Sequence, residues 1–213
     1  MNKKFAIFDM DGTLVDSMGY WHNLTREYLE SEGITEGAEE VLEKIYTMTM
    51  AEACDLFKTT FGIESSPDEM RKVMDDLMEW HYLNDVPLKG EVVSYLEKLK
   101  GEGVRMCVAS ATPHHLIEKC LKRLGVFDYF EFMLSCETIG IGKTKPDIYL
   151  LAAEKLGAEP SEIAVYEDAL YAVKTAKYAG FYTFGIKDES NVLVWDDITE
   201  LADELVSDWE DLF

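Results

Sequence analysis

Positive charge is scarce in this 213-residue chain: 20 lysines and arginines stand against 42 aspartates and glutamates, a formal net charge of −22. That balance argues against nucleic acid and anionic membrane surfaces as partners, because both are held through basic patches. No run approaches the roughly 20 consecutive apolar residues of a membrane span. The opening MNKKFAIFDMDG reaches two aspartates too early for a secretory signal, so a cytoplasmic protein is expected. Cysteine is sparse as well. Cys54, Cys107, Cys120 and Cys136 lie far apart with no CxxC pair to hold zinc or cycle redox, and reduced, packed thiols are expected. Internal repeats, low-complexity segments and coiled-coil heptads are all missing. One glycine is missing too. Gly142-Lys143-Thr144 has the ending of a nucleotide-binding P-loop, but such a loop needs a glycine five residues earlier, where this chain has Glu137. If Lys143 meets a phosphate, the rest of the chain must supply the reason.

What is present is ample apolar material, 47% of residues, enough for a core and a modest inserted second domain. Short apolar runs at Phe5–Phe8, Met106–Ala109, Phe132–Leu134, Ile163–Tyr166 and Tyr182–Phe184 predict buried parallel strands. Helical spacing appears between the later runs: Leu116, Cys120 and Leu124; Ile148, Leu151, Ala152 and Leu156; Ala169, Val173 and Ala176. This alternation predicts an α/β fold, an open Rossmann-like parallel sheet with helices on both faces. About 70 helix-like residues after the first strand exceed any ordinary crossover connection. They predict an inserted all-helical domain over 17–86, with the α/β core formed by 1–16 and 87–213. Inside the insertion Trp21, Leu24 and Tyr28 share a face, as do Met70, Val73, Met74, Leu77 and His81; Ser66-Pro67-Asp68-Glu69 predicts a capping box with a first-turn proline. His81 is expected at the core or its rim, and the methionines as packing.

Ligands of such sheets bind beyond the carboxyl ends of the strands. Four polar clusters fall there: Asp9-Met10-Asp11-Gly12-Thr13, Ser110, the pair Lys143 and Lys145, and Glu167-Asp168. If strand geometry persists past Phe8, the Asp9 and Asp11 carboxylates lean into the same space. Two charges that close need a cation or a shared proton. Gly12 permits a tight turn and Thr13 adds a hydroxyl. An Asp-Gly turn alone is commonly structural, but two aspartates after one strand and Glu167-Asp168 after another shift the balance to an oxygen-ligand Mg²⁺ site. One lysine and a divalent cation inside a cleft can dominate an acidic exterior, since salt screens exposed charges beyond about 8 Å.

These residues resemble the haloacid dehalogenase superfamily, and within it the β-phosphoglucomutase-like phosphatases with a helical cap inserted after the first motif. FDMDGTLVDS at 8–17 matches the first motif over its whole length, VASAT at 108–112 the second, KPDIYLLAAEKLG at 145–157 lies in the third, and VYEDALYAVKTAKYAGF at 165–181 matches the fourth. The resemblance implies Asp9 as nucleophile forming an aspartyl-phosphate, and Asp11 as general acid and then base with its backbone beside the metal. It implies Asp168 as a metal ligand and Glu167 as a ligand or its immediate support. Ser110 and Thr13, with the neighbouring Gly12 and Ala111, would bind the phosphoryl oxygens. Aligning on Pro146-Asp147 makes Lys143 the family's lysine, holding Asp9 ionised and neutralising the phosphoryl group, and leaves Lys145 in the loop. An acid at position 11 favours phosphate-ester chemistry over dehalogenation.

The implied activity is Mg²⁺-dependent hydrolysis of a small phosphorylated metabolite by a monomer or weak homo-oligomer; a phosphosugar mutase and a non-catalytic binding module are the alternatives. Where the mutases usually carry a cap histidine this chain has Trp21, with His22 one residue late, about 100° around a helix. Tyr46-Thr47-Met48-Thr49-Met50-Ala51 lacks the expected arginine. Both absences weigh against a mutase. In the fourth motif Ala169 and Ala172 replace a usual serine and glycine, which predicts tuning, not loss. His114 and His115 follow Thr112-Pro113 at an expected helix start; His114 is carried as a candidate contact for a substrate's distal group, a solvent-facing first turn being the alternative.

Overall fold

A computed structural model describes residues 3–39, 41–42, 48 and 50–213. Tyr46, Thr47 and Thr49 of the candidate substrate loop lie outside them. The chain divides into two compact units, one made of the chain up to Met18 together with Val86–Phe213, the other of Gly19–Asp85.

In the first unit six strands form one parallel sheet: β1 (Phe5–Phe8), β2 (Arg105–Ser110), β3 (Met133–Ser135), β4 (Ile163–Glu167), β5 (Tyr182–Ile186) and β6 (Glu204–Val206). Their order is β3-β2-β1-β4-β5-β6. This is the expected α/β sheet with one strand more. β6 has an exposed-exposed-buried pattern, so only Val206 belongs to the core and no apolar run marks the strand. The third strand runs one residue later than its hydrophobic run suggested, ending on the buried Ser135.

Alternation along the strands divides the core in two. Ile7, Val165, Cys107, Ala109 and Leu134 pack with Ile148, Tyr149, Ala152 and Leu156 of one helix (Asp147–Leu156). Phe8, Tyr166 and Phe184, paired in register on β1, β4 and β5, stack on the other face with ring centroids 4.3 and 4.4 Å apart and planes tilted by 10°. Each such aromatic pair contributes about 0.5–1.5 kcal/mol beyond its buried area. Tyr95, from a helix over Val92–Gly101, meets this ladder through a 2.6 Å hydrogen bond between its hydroxyl and that of Tyr166. All four cysteines are free and buried, as expected of packed thiols.

The second unit is helical, with helices over Met18–Ser31, Met50–Phe61 and Pro67–Asn84. Ser66 and Glu69 form the capping box, and Pro67 occupies the first turn, where its missing N–H costs nothing. Met70, Met74 and Met78 line the buried stripe of that helix, and Tyr28 stacks near Phe57 with centroids 6.0 Å apart. Trp21 donates its Nε1–H to the Tyr82 hydroxyl at 3.2 Å. His81 is buried between two acids: Nε2 lies 2.7 Å from Glu27 Oε2 and Nδ1 2.9 Å from Asp85 Oδ1. No helix among the described residues is long and apolar enough to cross a membrane.

Candidate active site

β1 and β4 are neighbours although two strands, β2 and β3, separate them in sequence, so the strand order reverses between them. A crevice opens outside the carboxyl ends of strands at such a reversal. Asp9 follows β1 there, with its N–H donating to the Tyr166 carbonyl at 3.0 Å, and Glu167-Asp168 close β4. Asp9 continues the alternation of Ile7, and Glu167 that of Val165, so both carboxylates emerge on the face covered by the Asp147–Leu156 helix.

Lys143 comes from the loop before that helix and is buried, 4% exposed. Its Nζ lies 2.5 Å from Asp9 Oδ1 and 2.7 Å from Glu167 Oε1. Lys145, two residues on, is exposed. Burial alone would depress the Lys143 ammonium, but Asp9 and Glu167 outweigh it and hold the group charged. Tyr149, in the first turn of the helix, donates its hydroxyl to the same Glu167 Oε1 at 2.6 Å.

Asp9, Glu167 and Asp168 each offer a carboxylate oxygen within 4.8 Å of the others, and all three residues are buried. Burial and then the neighbouring Glu167 push Asp9 well above the usual carboxylate range, with Lys143 opposing, and push Asp168 up to about 7. Three buried acids sharing one buried lysine are under-compensated. Glu167 Oε2 adds a second sign, being buried without a hydrogen-bond partner. Hard oxygen donors, excess negative charge and an orphaned carboxylate oxygen fit a divalent cation such as Mg²⁺.

The Asp11 carboxylate does not join that trio. Ser17 Oγ donates to its Oδ1 and Thr112 Oγ1 to its Oδ2, each at 2.6 Å. Thr112 is fixed in turn: its N–H donates to Ser110 Oγ at 3.0 Å and its carbonyl accepts from Ser135 Oγ at 2.7 Å. The carboxyl ends of β1, β2 and β3 are thus tied together by hydroxyls. Between Asp9 and Ser17 the chain turns sharply, with the Leu14 and Val15 amides both donating to the Met10 carbonyl. Gly12 sits in that turn at φ +70°, and a Cβ there would lie 2.3 Å from Asp168 Oδ2. Only glycine lets the first-motif backbone approach that carboxylate.

The remaining candidates differ in burial. Thr13 is fully buried and its hydroxyl has no partner, Ser110 is fully buried as an acceptor for Thr112, and Ala111 is exposed beside them. His114 and His115 are exposed on the first turn of a helix over His114–Arg123. Several contributors went unremarked in the sequence: Ser17, Thr112 and Tyr149, all inside the quoted motifs, and Asn191. The buried Asn191 donates Nδ2 to the carbonyls of Asp168 (2.9 Å) and Ile186 (2.8 Å), tying the β4 and β5 ends together. No motif surrounds Asn191; only the N-terminal capping pattern of Asp188 and Asn191 could have marked it.

A parallel α/β sheet carrying buried acids and a lysine at its reversal point defines a class of enzyme cores. The chain belongs to the haloacid dehalogenase-like hydrolases, whose family model matches residues 3–180. It is similar to the phosphorylated carbohydrates phosphatase of Thermotoga maritima, 28% identical over 175 residues that cover 82% of this chain and 81% of that protein. It is also similar to the β-phosphoglucomutase of Bacillus subtilis, 26% identical over 219 residues covering 97% and 96%. Among solved structures, a conserved haloacid dehalogenase-like protein of Agrobacterium tumefaciens superposes with a TM-score of 0.75 at 26% identity, over 99% of this chain and 96% of that one.

Proposed function

We propose that the protein is a Mg²⁺-dependent phosphatase that hydrolyses the phosphate monoester of a small phosphorylated carbohydrate through an aspartyl-phosphate. The observation that carries this reading is the buried group of Asp9, Glu167 and Asp168 with Lys143 Nζ 2.5 Å from Asp9. A neutral or purely structural cluster has no reason to concentrate three acids around one cation. The Thermotoga relative, named for phosphorylated carbohydrates, supports the substrate class.

Asp9, Glu167 and Asp168 are the residues that would hold the cation. Bound there, Mg²⁺ supplies the positive charge that keeps the carboxylates ionised and offsets repulsion between Asp9 and an incoming phosphate. Asp9 attacks phosphorus as the bond to the leaving alcohol oxygen breaks, and Asp11 gives that oxygen its proton. Asp11 then takes a proton from water as the water oxygen attacks the aspartyl-phosphate, releasing inorganic phosphate and restoring Asp9. Lys143 neutralises phosphoryl charge in both halves, and Ser17 and Thr112 keep the Asp11 carboxylate in one orientation.

A second reading is a phosphosugar mutase, favoured by the Bacillus relative that aligns over 97% of the chain. Against it, the cap position where mutases carry histidine is Trp21, whose indole N–H is engaged with Tyr82. Phosphate release from a panel of sugar phosphates, nucleotides and p-nitrophenyl phosphate separates the two. A phosphatase liberates inorganic phosphate without a primer; a mutase interconverts isomers, needs a bisphosphate and liberates almost none.

A further inference from the structure

Glu167 is held through one oxygen only. Oε1 accepts from Lys143 Nζ at 2.7 Å and from the Tyr149 hydroxyl at 2.6 Å, while Oε2 is buried with no partner. Lys143 cannot fix this carboxylate by itself, because its ammonium is shared with Asp9 and carried on a flexible stem from a loop. Tyr149 can. It is fully buried in the first turn of the Asp147–Leu156 helix, with its ring 6.0 Å from that of Phe181 and its neighbours Ile148 and Ala152 in the same core. Facing a carboxylate, which only accepts, its hydroxyl is the donor of that 2.6 Å bond. Its geometry is set by packing before any ligand arrives.

We infer that Tyr149 is a positioning residue for cation binding: its hydroxyl pins Oε1 of Glu167 and so presents Oε2, with the Asp9 and Asp168 carboxylates, to Mg²⁺. The inference rests on the reading of that trio as the cation site. A ligand carboxylate free to rotate must be ordered when the ion binds, and groups that orient ligands commonly govern metal affinity by about 10- to 100-fold. Phenylalanine at this position keeps the ring packing and removes only the donor.

The test is Mg²⁺ binding by calorimetry, without substrate, for the parent, Tyr149→Phe and Ile148→Val, with thermal midpoints in EDTA. Ile148→Val thins the same core without touching Glu167 and controls for lost packing. The expected result is a Mg²⁺ dissociation constant raised about tenfold or more in Tyr149→Phe and unchanged in Ile148→Val. In turnover assays the half-saturating Mg²⁺ concentration should rise more than kcat at saturating metal falls. Equal Mg²⁺ affinity in parent and Tyr149→Phe would overturn the inference and leave the phosphatase reading standing. A parent that binds no Mg²⁺ would overturn both.

Discussion

Lys143 Nζ lies 2.5 Å from Asp9 Oδ1, and the lysine is only 4% exposed. The lysine is the only basic side chain within ion-pairing distance of that cluster among the described residues. Replacing it by methionine strands Asp9 and Glu167, and breaking a buried pair from one side costs about 3–5 kcal/mol. Lys143→Met is therefore expected to lower the urea midpoint at pH 8 and to reduce kcat by about 100-fold or more. Exposed Lys145→Ala should leave both within about 0.5 kcal/mol and twofold of the parent.

Gly12 offers a steric test of the same site. Alanine there combines a left-handed backbone with a Cβ 2.3 Å from Asp168 Oδ2. Gly12→Ala should cost about 1–3 kcal/mol in chemical denaturation and displace a carboxylate of the trio. Thermal stabilisation by 5 mM Mg²⁺, of the order of a few degrees in the parent, should shrink in the variant.

Stability of the helical unit should depend on pH through His81. Burial pulls its pKa down, but the hydrogen bonds to Glu27 and Asp85 outweigh it and the pKa is raised above 6.5. The tighter proton binding in the folded state gives a stabilisation that is full below pH 6.5 and is lost as pH rises through the higher folded value. Urea midpoints of the parent and His81→Gln from pH 5.5 to 9 should differ most at the acid end and converge toward the alkaline end. A difference that grows with pH would contradict the pairing.

Tyr95→Phe should cost about 0.5–1.5 kcal/mol, because it removes the buried hydrogen bond to the Tyr166 hydroxyl in the aromatic ladder. The double variant with Tyr166→Phe should lose less than the sum of the two single losses, since both changes remove the same bond. A thermodynamic cycle on denaturation midpoints measures it.

Much of this was legible because the informative residues sit at strand ends. Phe5–Phe8 and Ile163–Tyr166 declare themselves as buried strands, and the acids that follow have only one edge of the sheet to occupy. Lys143 and Lys145 could be told apart by alignment on Pro146-Asp147, and they differ in burial, 4% exposed for the first and exposed for the second. Three things were not legible. β6 has a single buried residue, so periodicity carries no signal there. The grip of Ser17 and Thr112 on Asp11 joins residues up to 101 positions apart, a relation set by strand order and not by local pattern. The full burial of Thr13, whose hydroxyl has no hydrogen-bond partner, is set by packing around the first-motif turn and not by local pattern.

Phosphate release by the parent and Asp9→Asn, each with Mg²⁺ and with EDTA, tests the proposed role of Asp9 as a nucleophile beside a divalent cation. The parent should turn over sugar phosphates with Mg²⁺ and lose that activity in EDTA, and Asp9→Asn should be slower by roughly 10⁴-fold or more. Metal-independent release, or an Asp9→Asn variant as active as the parent, would contradict it.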